Sequence, residues 1–315
     1  MFAIAPYHVE VLDSRRQPQD LWNFYHKNSL RDHVAKYLKS IVDLPINSDP
    51  TKAFVLRKIF ASTPESIGGV FRTGLMGFES EIFNVAAKAV THNRKKEEAD
   101  LVPFPFSFYM PKNVHASQRT RGLLLLSRFN TSGIRGIVVP HLRSNFAATF
   151  PDYTLNVERV LPDTVMKSLL ANGEVKKIRL VKKTLPKDYA DVLSDSDKQK
   201  FADLEVVLRT KKNCVFSDVD WLMKLLDKKS NINSVFTLPD FTPDNIKVEL
   251  NHGGKSRTVN VGSPGQISSN IDISHVAVDG TGHIASQDWL NEADDLASEI
   301  FQSWGARGVA WKSKV

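Results

Sequence analysis

Period-two runs of apolar residues, interrupted by a few stretches of helical spacing, predict an α+β fold: mixed, mostly antiparallel sheets with flanking helices, two domains and a C-terminal helix. Three observations carry that class. Strand-like runs recur from Ala3 to Val261, amphipathic segments separate them, and glycines at 68, 69, 74 and 77 punctuate the β-rich region in the manner of hairpins and bulges. A chain of 315 residues with 42% hydrophobic residues can bury one large core or two smaller ones, which excludes a disordered chain.

The elements follow in order. Residues Ala3 to Leu12 alternate and read as a first strand, and Asp20 to Leu44 carries Leu21, Phe24, Tyr25, Val34, Tyr37, Leu38 and Ile41 at helical spacing, with Lys27, Arg31, Lys36 and Lys39 on its polar side. Phe54 to Phe60 and Val70 to Val85 are β-rich, and a mixed-charge turn at Arg94 to Asp100 leads into Leu101 to Met110. There Pro103 and Pro105 exclude a helix interior, so Phe104, Phe106 and Phe108 share one strand face, suited to core filling or, alternatively, to base stacking. Gly122 to Phe129 reads as a buried strand, and Gly133 to Thr149 as an amphipathic helix interrupted at Pro140. Strands are expected at Tyr153 to Val160, Val175 to Lys183 and Leu204 to Lys212, with helices at Asp163 to Asn172 and Phe216 to Lys229. Ile246 to Leu250 and Thr258 to Val261 form a hairpin, and Ser286 to Trp304 the terminal helix.

Charge is distributed unevenly. Between Leu101 and Pro151 there is no aspartate or glutamate, while Lys112, Arg119, Arg121, Arg128, Arg135 and Arg143 punctuate the stretch. A carboxylate-free segment in a chain of formal charge +7 points to an anionic partner, with nucleic acid the first candidate. Charges of both signs resume after Phe150, which places the domain boundary there: residues 1–150 as an N-terminal α+β domain and 151–315 as a second α+β domain carrying the C-terminal helix. Cys214 is the only cysteine, so no disulfide framework and no multi-thiolate zinc site exists within the chain. Neither a secretory leader nor an apolar run of about 20 residues occurs, so a cytoplasmic protein is expected.

Val175 to Lys183 places Lys177, Arg179 and Lys183 on one strand face and Ile178 and Leu180 on the other; cations so aligned invite phosphates, and Lys211 and Lys212 extend the patch. The DNA-binding candidates are therefore Arg119, Arg121, Arg128, Arg135, Arg143, Lys177, Arg179 and Lys183, on a composite surface spanning two domains. Enzyme chemistry has one candidate, since Asp163, Glu174 and Lys176 stand in the order of metal-dependent nucleases, where two carboxylates hold Mg²⁺ and a lysine serves the attacking water. Against it, Glu174 is expected in a turn after Gly173 and not on a strand. Gly254-Lys255-Ser256 lacks the first P-loop glycine, because Glu249 stands there, and no G-x-S-x-G elbow occurs. No cofactor is expected. Asp288, Glu292, Asp294, Asp295 and Glu299 line the terminal helix; they suit its dipole, or form an acidic cover over the basic surface or a dimer contact when DNA is absent.

The succession Arg119-Thr-Arg-Gly-Leu-Leu-Leu-Leu-Ser-Arg-Phe129 with its following helix, Tyr153-Thr-Leu-Asn-Val-Glu-Arg159, Val175 to Lys183, Asp203-Leu-Glu-Val-Val-Leu208, the Ile246 to Leu250 strand, the His275 to Ile284 turn and the terminal helix resembles the RexA-like phage-exclusion proteins. It is also similar to the DNA-binding component of the Kiwa anti-phage defence system. These resemblances imply a dimeric, two-domain cytoplasmic protein that binds DNA with little sequence preference, without catalytic residues. The Kiwa likeness further implies a small membrane protein partner that would recruit it to the inner membrane.

Overall fold

The computed structural model describes residues 2–26, 28–45, 51–60, 63–112, 114–160, 173–182, 204–211, 214–216, 220–221, 243–252, 255–262, 268–306, 311, 313 and 315. The fold is α+β, with antiparallel sheets, and falls into two compact units, residues 1–159 with 276–315, and residues 160–275. A single boundary at residue 150 was expected; instead the chain leaves the first unit after Arg159 and returns to it at Val276. The reason is burial: the terminal helix finds its apolar partners in the first unit and closes it.

In the first unit the sheet runs β9–β1–β7–β6–β3–β2, formed by Thr154–Arg159, Phe2–Leu12, Gly122–Phe129, Val102–Tyr109, Ser66–Leu75 and Lys52–Ile59. A short β8 (Ser132–Gly133) extends β7, and β4 (Ser80–Asn84) with β5 (Ala89–Arg94) makes a separate two-stranded ribbon. Helices α1 (Leu30–Ser40) and α2 (Arg135–Thr149) share one core with the sheet residues Tyr7, Val9, Val11, Phe104, Phe106, Phe108, Leu124 and Leu126. All three phenylalanines of β6 are therefore core residues; Phe106 stacks on Phe71 at 4.8 Å and Phe71 on Phe54 at 4.4 Å. That settles the choice between core filling and base stacking, because a ring with 2–3% exposure has no free face.

Helix α1 is shorter than its apolar spacing suggested. Ser29 caps it, its hydroxyl accepting from the Asp32 amide, while the preceding segment is held in turns by the Asp20 carboxylate accepting from the Trp22 amide and by Leu21 donating to the Arg119 carbonyl. Leu21 and Phe24 still reach the core, so helical spacing there reflects burial without helix. Close approach also selects glycine at 74 in β3, where a Cβ would lie 1.9 Å from the Asp100 carbonyl oxygen.

Helix α3 (Ser286–Ser303) lies on the opposite sheet face, the one to which Tyr109 points. It buries Trp289, Leu290, Ala293, Leu296, Ala297, Ile300 and Phe301, and with them Glu292 and Asp294. The Asp294 carboxylate accepts from the Tyr109 hydroxyl at 2.7 Å, the Ser313 amide at 2.7 Å and the Ser313 hydroxyl at 2.9 Å. Burial first, and the neighbouring Asp294 second, push the Tyr109 hydroxyl pKa well above its usual value. Two of the five carboxylates on this helix are thus interior groups, and the helix is a structural wall of the first unit.

The second unit contains a sheet in the order β11–β10–β12–β13–β14, built from Leu204–Arg209, Glu174–Lys182, Asn245–His252, Lys255–Gly262 and Ser268–Asp272. Val175, Ile178, Leu180, Ile246, Val248 and Leu250 are buried on one side of it. Glu174 begins β10 opposite Asn251 and does not sit in a turn as expected. The helix expected at Asp163 to Asn172, and all of Phe216 to Lys229 except Phe216, Asp220 and Trp221, lie outside the described residues.

Candidate nucleic-acid interface

Helices α1 and α2 form a layer over the first unit's sheet, joined through His33, whose ring meets Phe146 at 5.6 Å and Phe150 at 5.1 Å. Burial, with Lys36 second, lowers the His33 pKa below the usual histidine value, so the ring is a neutral spacer between the helices. The two helices carry Arg31, Lys36, Lys39, Arg135 and Arg143 against a single carboxylate, Asp32. Arg31 spends its charge locally, with Nη1 3.0 Å from Asp32 and Nη2 donating to the Thr63 carbonyl. Lys36, Lys39, Arg135 and Arg143 are exposed and make no ion pair among the described residues.

Helix α2 has an unusual outer surface. Its exposed positions are Arg135, Gly136, Pro140, Arg143, Ser144, Ala147, Ala148 and Thr149, with no acid on the helix. Small side chains beside the two arginines, Gly136 and Pro140 between them and Ser144, Ala147, Ala148 and Thr149 beyond Arg143, let a bulky polyanion approach the helix closely. Both arginines are steered by neighbours other than carboxylates: Arg135 lies 5.5 Å from the centre of the Tyr7 ring, and Arg143 Nη2 donates to the Val157 carbonyl at 3.1 Å. Arg128, on the face of β7 that α2 covers, donates to the Thr131 carbonyl at 3.2 Å beside the start of α2.

The remaining arginines of the carboxylate-free stretch are engaged differently. Arg119 ends a short 3₁₀ turn at Ala116–Gln118 and pairs with Asp20 at 3.3 Å. Arg121 belongs to the other sheet face, its guanidinium 6.0 Å from the Trp304 ring and electrostatically coupled to His8 and Glu10. Burial first and Arg121 second outweigh the Glu158 carboxylate and lower the His8 pKa to about 4, although His8 Nε2 lies 3.3 Å from Glu10. Burial likewise raises the Glu10 pKa.

In the second unit, Lys177 and Arg179 share the polar face of β10 as expected, but they are not uncompensated. Lys177 Nζ lies 2.6 and 2.7 Å from the two Glu249 carboxylate oxygens, Arg179 Nη2 lies 2.5 Å from one of them, and Arg179 Nη1 lies 3.8 Å from Glu205. The cross-strand partner that sequence reading missed is legible in retrospect, since Lys247 and Glu249 alternate with the buried Ile246, Val248 and Leu250. Lys183 and Lys212 lie outside the described residues, and Lys211 is exposed.

The nuclease candidates are only partly placed. Glu174 and Lys176 pair with each other at 2.9 Å, and Lys176 also donates to the Cys214 carbonyl; Asp163 lies outside the described residues. Among the described residues no three His, Cys, Asp or Glu side chains gather as metal ligands. Asp279 is occupied in its own turn, accepting from the Thr281 amide and hydroxyl while Gly282 takes the left-handed conformation at φ 79°. No described helix is long and apolar enough to cross a membrane. A scan of protein-family models finds no match to this chain, and a search of curated proteins finds none either.

Proposed function

We propose that this chain is a non-enzymatic anti-phage protein that binds DNA through its phosphate backbone with little sequence preference, in the manner of the RexA-like phage-exclusion proteins it resembles. The observation that supports the reading is the helical layer of the first unit, where Lys36, Lys39, Arg135 and Arg143 are exposed without carboxylate partners among the described residues. Such cations displace the counterions condensed on DNA when they contact its phosphates, a driving force indifferent to base sequence. Arg128 adds positive field at the start of α2, whereas Arg119 and Arg121 contribute from elsewhere in the unit. In this reading the protein works as a cytoplasmic homodimer, and the Kiwa likeness adds recruitment to the inner membrane by a small membrane protein partner.

The test is duplex binding by anisotropy across a salt series. Replacing Lys36, Lys39, Arg135 and Arg143 together with glutamine should weaken binding to unrelated duplexes alike and reduce the slope of log K against log salt by about 3 to 4, at about 0.9 per phosphate contact. Unchanged affinity and slope in the folded variant would overturn the assignment. Plasmid incubated with Mg²⁺ should remain intact; cleavage lost on Glu174→Ala would turn the reading to the nuclease.

A further inference from the structure

The polar face of the second unit's sheet carries more cations than its two pairing carboxylates compensate. The register sets Arg209, Lys177 and Glu249 side by side across β11, β10 and β12, and in the next row Val207, Arg179 and Lys247. On β10 and β12 these positions alternate with the buried Ile178, Leu180, Ile246, Val248 and Leu250, and the pairing of Arg209 with Lys177 and of Val207 with Arg179 sets the β11 residues on the same side of the sheet. Four cations thus occupy two adjacent rows of three neighbouring strands. Glu249 pairs with Lys177 and Arg179, Glu205 reaches Arg179 from the side, and neither Lys247 nor Arg209 makes an ion pair among the described residues. Like charges directly across a ladder, such as Arg179 with Lys247 and Lys177 with Arg209, destabilise a sheet unless an anion lies between them.

We propose that this face is a phosphate-binding site whose anion in the unliganded protein is the protein's own Glu249 carboxylate. Lys177 and Arg179 converge on one carboxylate oxygen, a donor arrangement that a phosphate oxygen satisfies equally well, and Lys247 and Arg209 stand on either side to meet a phosphate's additional charge. The pair is only partly covered, with Lys177 14% and Glu249 20% exposed, so a ligand reaches it without unfolding the strand. Burial works to raise the Glu249 pKa, and the hydrogen bonds from Lys177 and Arg179 outweigh it, holding the group below the usual glutamate value and hence ionised near neutrality. Displacement exchanges one anion for another, and this makes Glu249 the residue that sets the site's affinity. The site belongs to the second unit alone and stands whether or not the first unit's helical layer binds DNA.

The test uses the full chain with Lys36, Lys39, Arg135 and Arg143 already changed to glutamine, so that the first unit's layer does not contribute. Calorimetric titration with inorganic tripolyphosphate should show Glu249→Gln binding about tenfold more tightly than the Glu249 parent, because the amide preserves the shape and removes the competing charge. The gain should vanish when Lys177→Gln and Arg179→Gln are added. No gain from Glu249→Gln, or a gain that survives loss of Lys177 and Arg179, overturns the proposal. Should Glu249→Gln not fold, the thermal midpoint of the parent decides: tripolyphosphate should raise it for the Glu249 chain and not for the Lys177→Gln, Arg179→Gln chain, and an equal rise in both refutes the site. A duplex that competes with tripolyphosphate on this background identifies the phosphate as a nucleic-acid backbone; tripolyphosphate binding without duplex competition identifies a free polyphosphate.

Discussion

Removing the Asp294 carboxylate tests whether the terminal helix is a wall of the first unit or a detachable acidic cover. Asp294 is 6% exposed and accepts three hydrogen bonds, from the Tyr109 hydroxyl, the Ser313 amide and the Ser313 hydroxyl. In Asp294→Ala the Tyr109 hydroxyl and the Ser313 amide are left buried without that acceptor, at about 1–3 kcal/mol each, so a loss of about 4 kcal/mol is expected. Tyr109→Phe alone removes one bond to a charged group and should cost about 2 kcal/mol. In the double variant the orphaned hydroxyl no longer exists, so its cost should fall about 2 kcal/mol below the sum of the single losses. Urea denaturation of the four proteins measures this cycle. Additivity to within about 0.5 kcal/mol would refute the network, and so would a folded, fully stable protein lacking residues 288–315.

Gly74→Ala should destabilise by about 3 kcal/mol in the same urea assay, because its Cβ would meet the backbone oxygen of Asp100 at 1.9 Å and backbone does not yield as a side chain does. A loss below about 0.5 kcal/mol would show that β3 shifts freely there. The depressed His8 pKa makes stability depend on pH: the unfolded chain binds a proton below the ordinary value of 6.5 while the native ring stays neutral down to about 4. This contribution is fully present above 6.5 and is lost as pH falls towards about 4, by at most about 3 kcal/mol, so His8→Gln should flatten the stability profile across that window. An unchanged slope in the variant would show that His8 is not the group responsible.

Much of the scaffold was legible because strand and helix periodicities are local. The shared strand face of Phe104, Phe106 and Phe108, the buried run Gly122 to Phe129 and the terminal helix follow from spacing and proline positions alone. Local spacing failed at Leu21 and Phe24, where turns held by Asp20 and Arg119 bury apolar side chains without a helix. It also overlooked β5, the second strand of the two-stranded ribbon, whose residues are exposed except for Arg94 and carry no buried face to create a pattern. The charge reading fared similarly. Absence of acids between Leu101 and Pro151 is a property of the chain, yet the meaning of each arginine depends on the sheet face it occupies.

By itself the sequence determined the α+β class, the strand faces and the excess of positive charge, since each rests on residues near one another along the chain. Tertiary structure alone decided which charges remain available. It set Glu249 against Lys177 across 72 residues and Asp294 against Tyr109 across 185, and it sent Arg121 to one face of the sheet and Arg135 and Arg143 to the other. Compensation of charge is a matter of distances of a few ångströms, and those distances arise only when remote strands pair and helices choose a face.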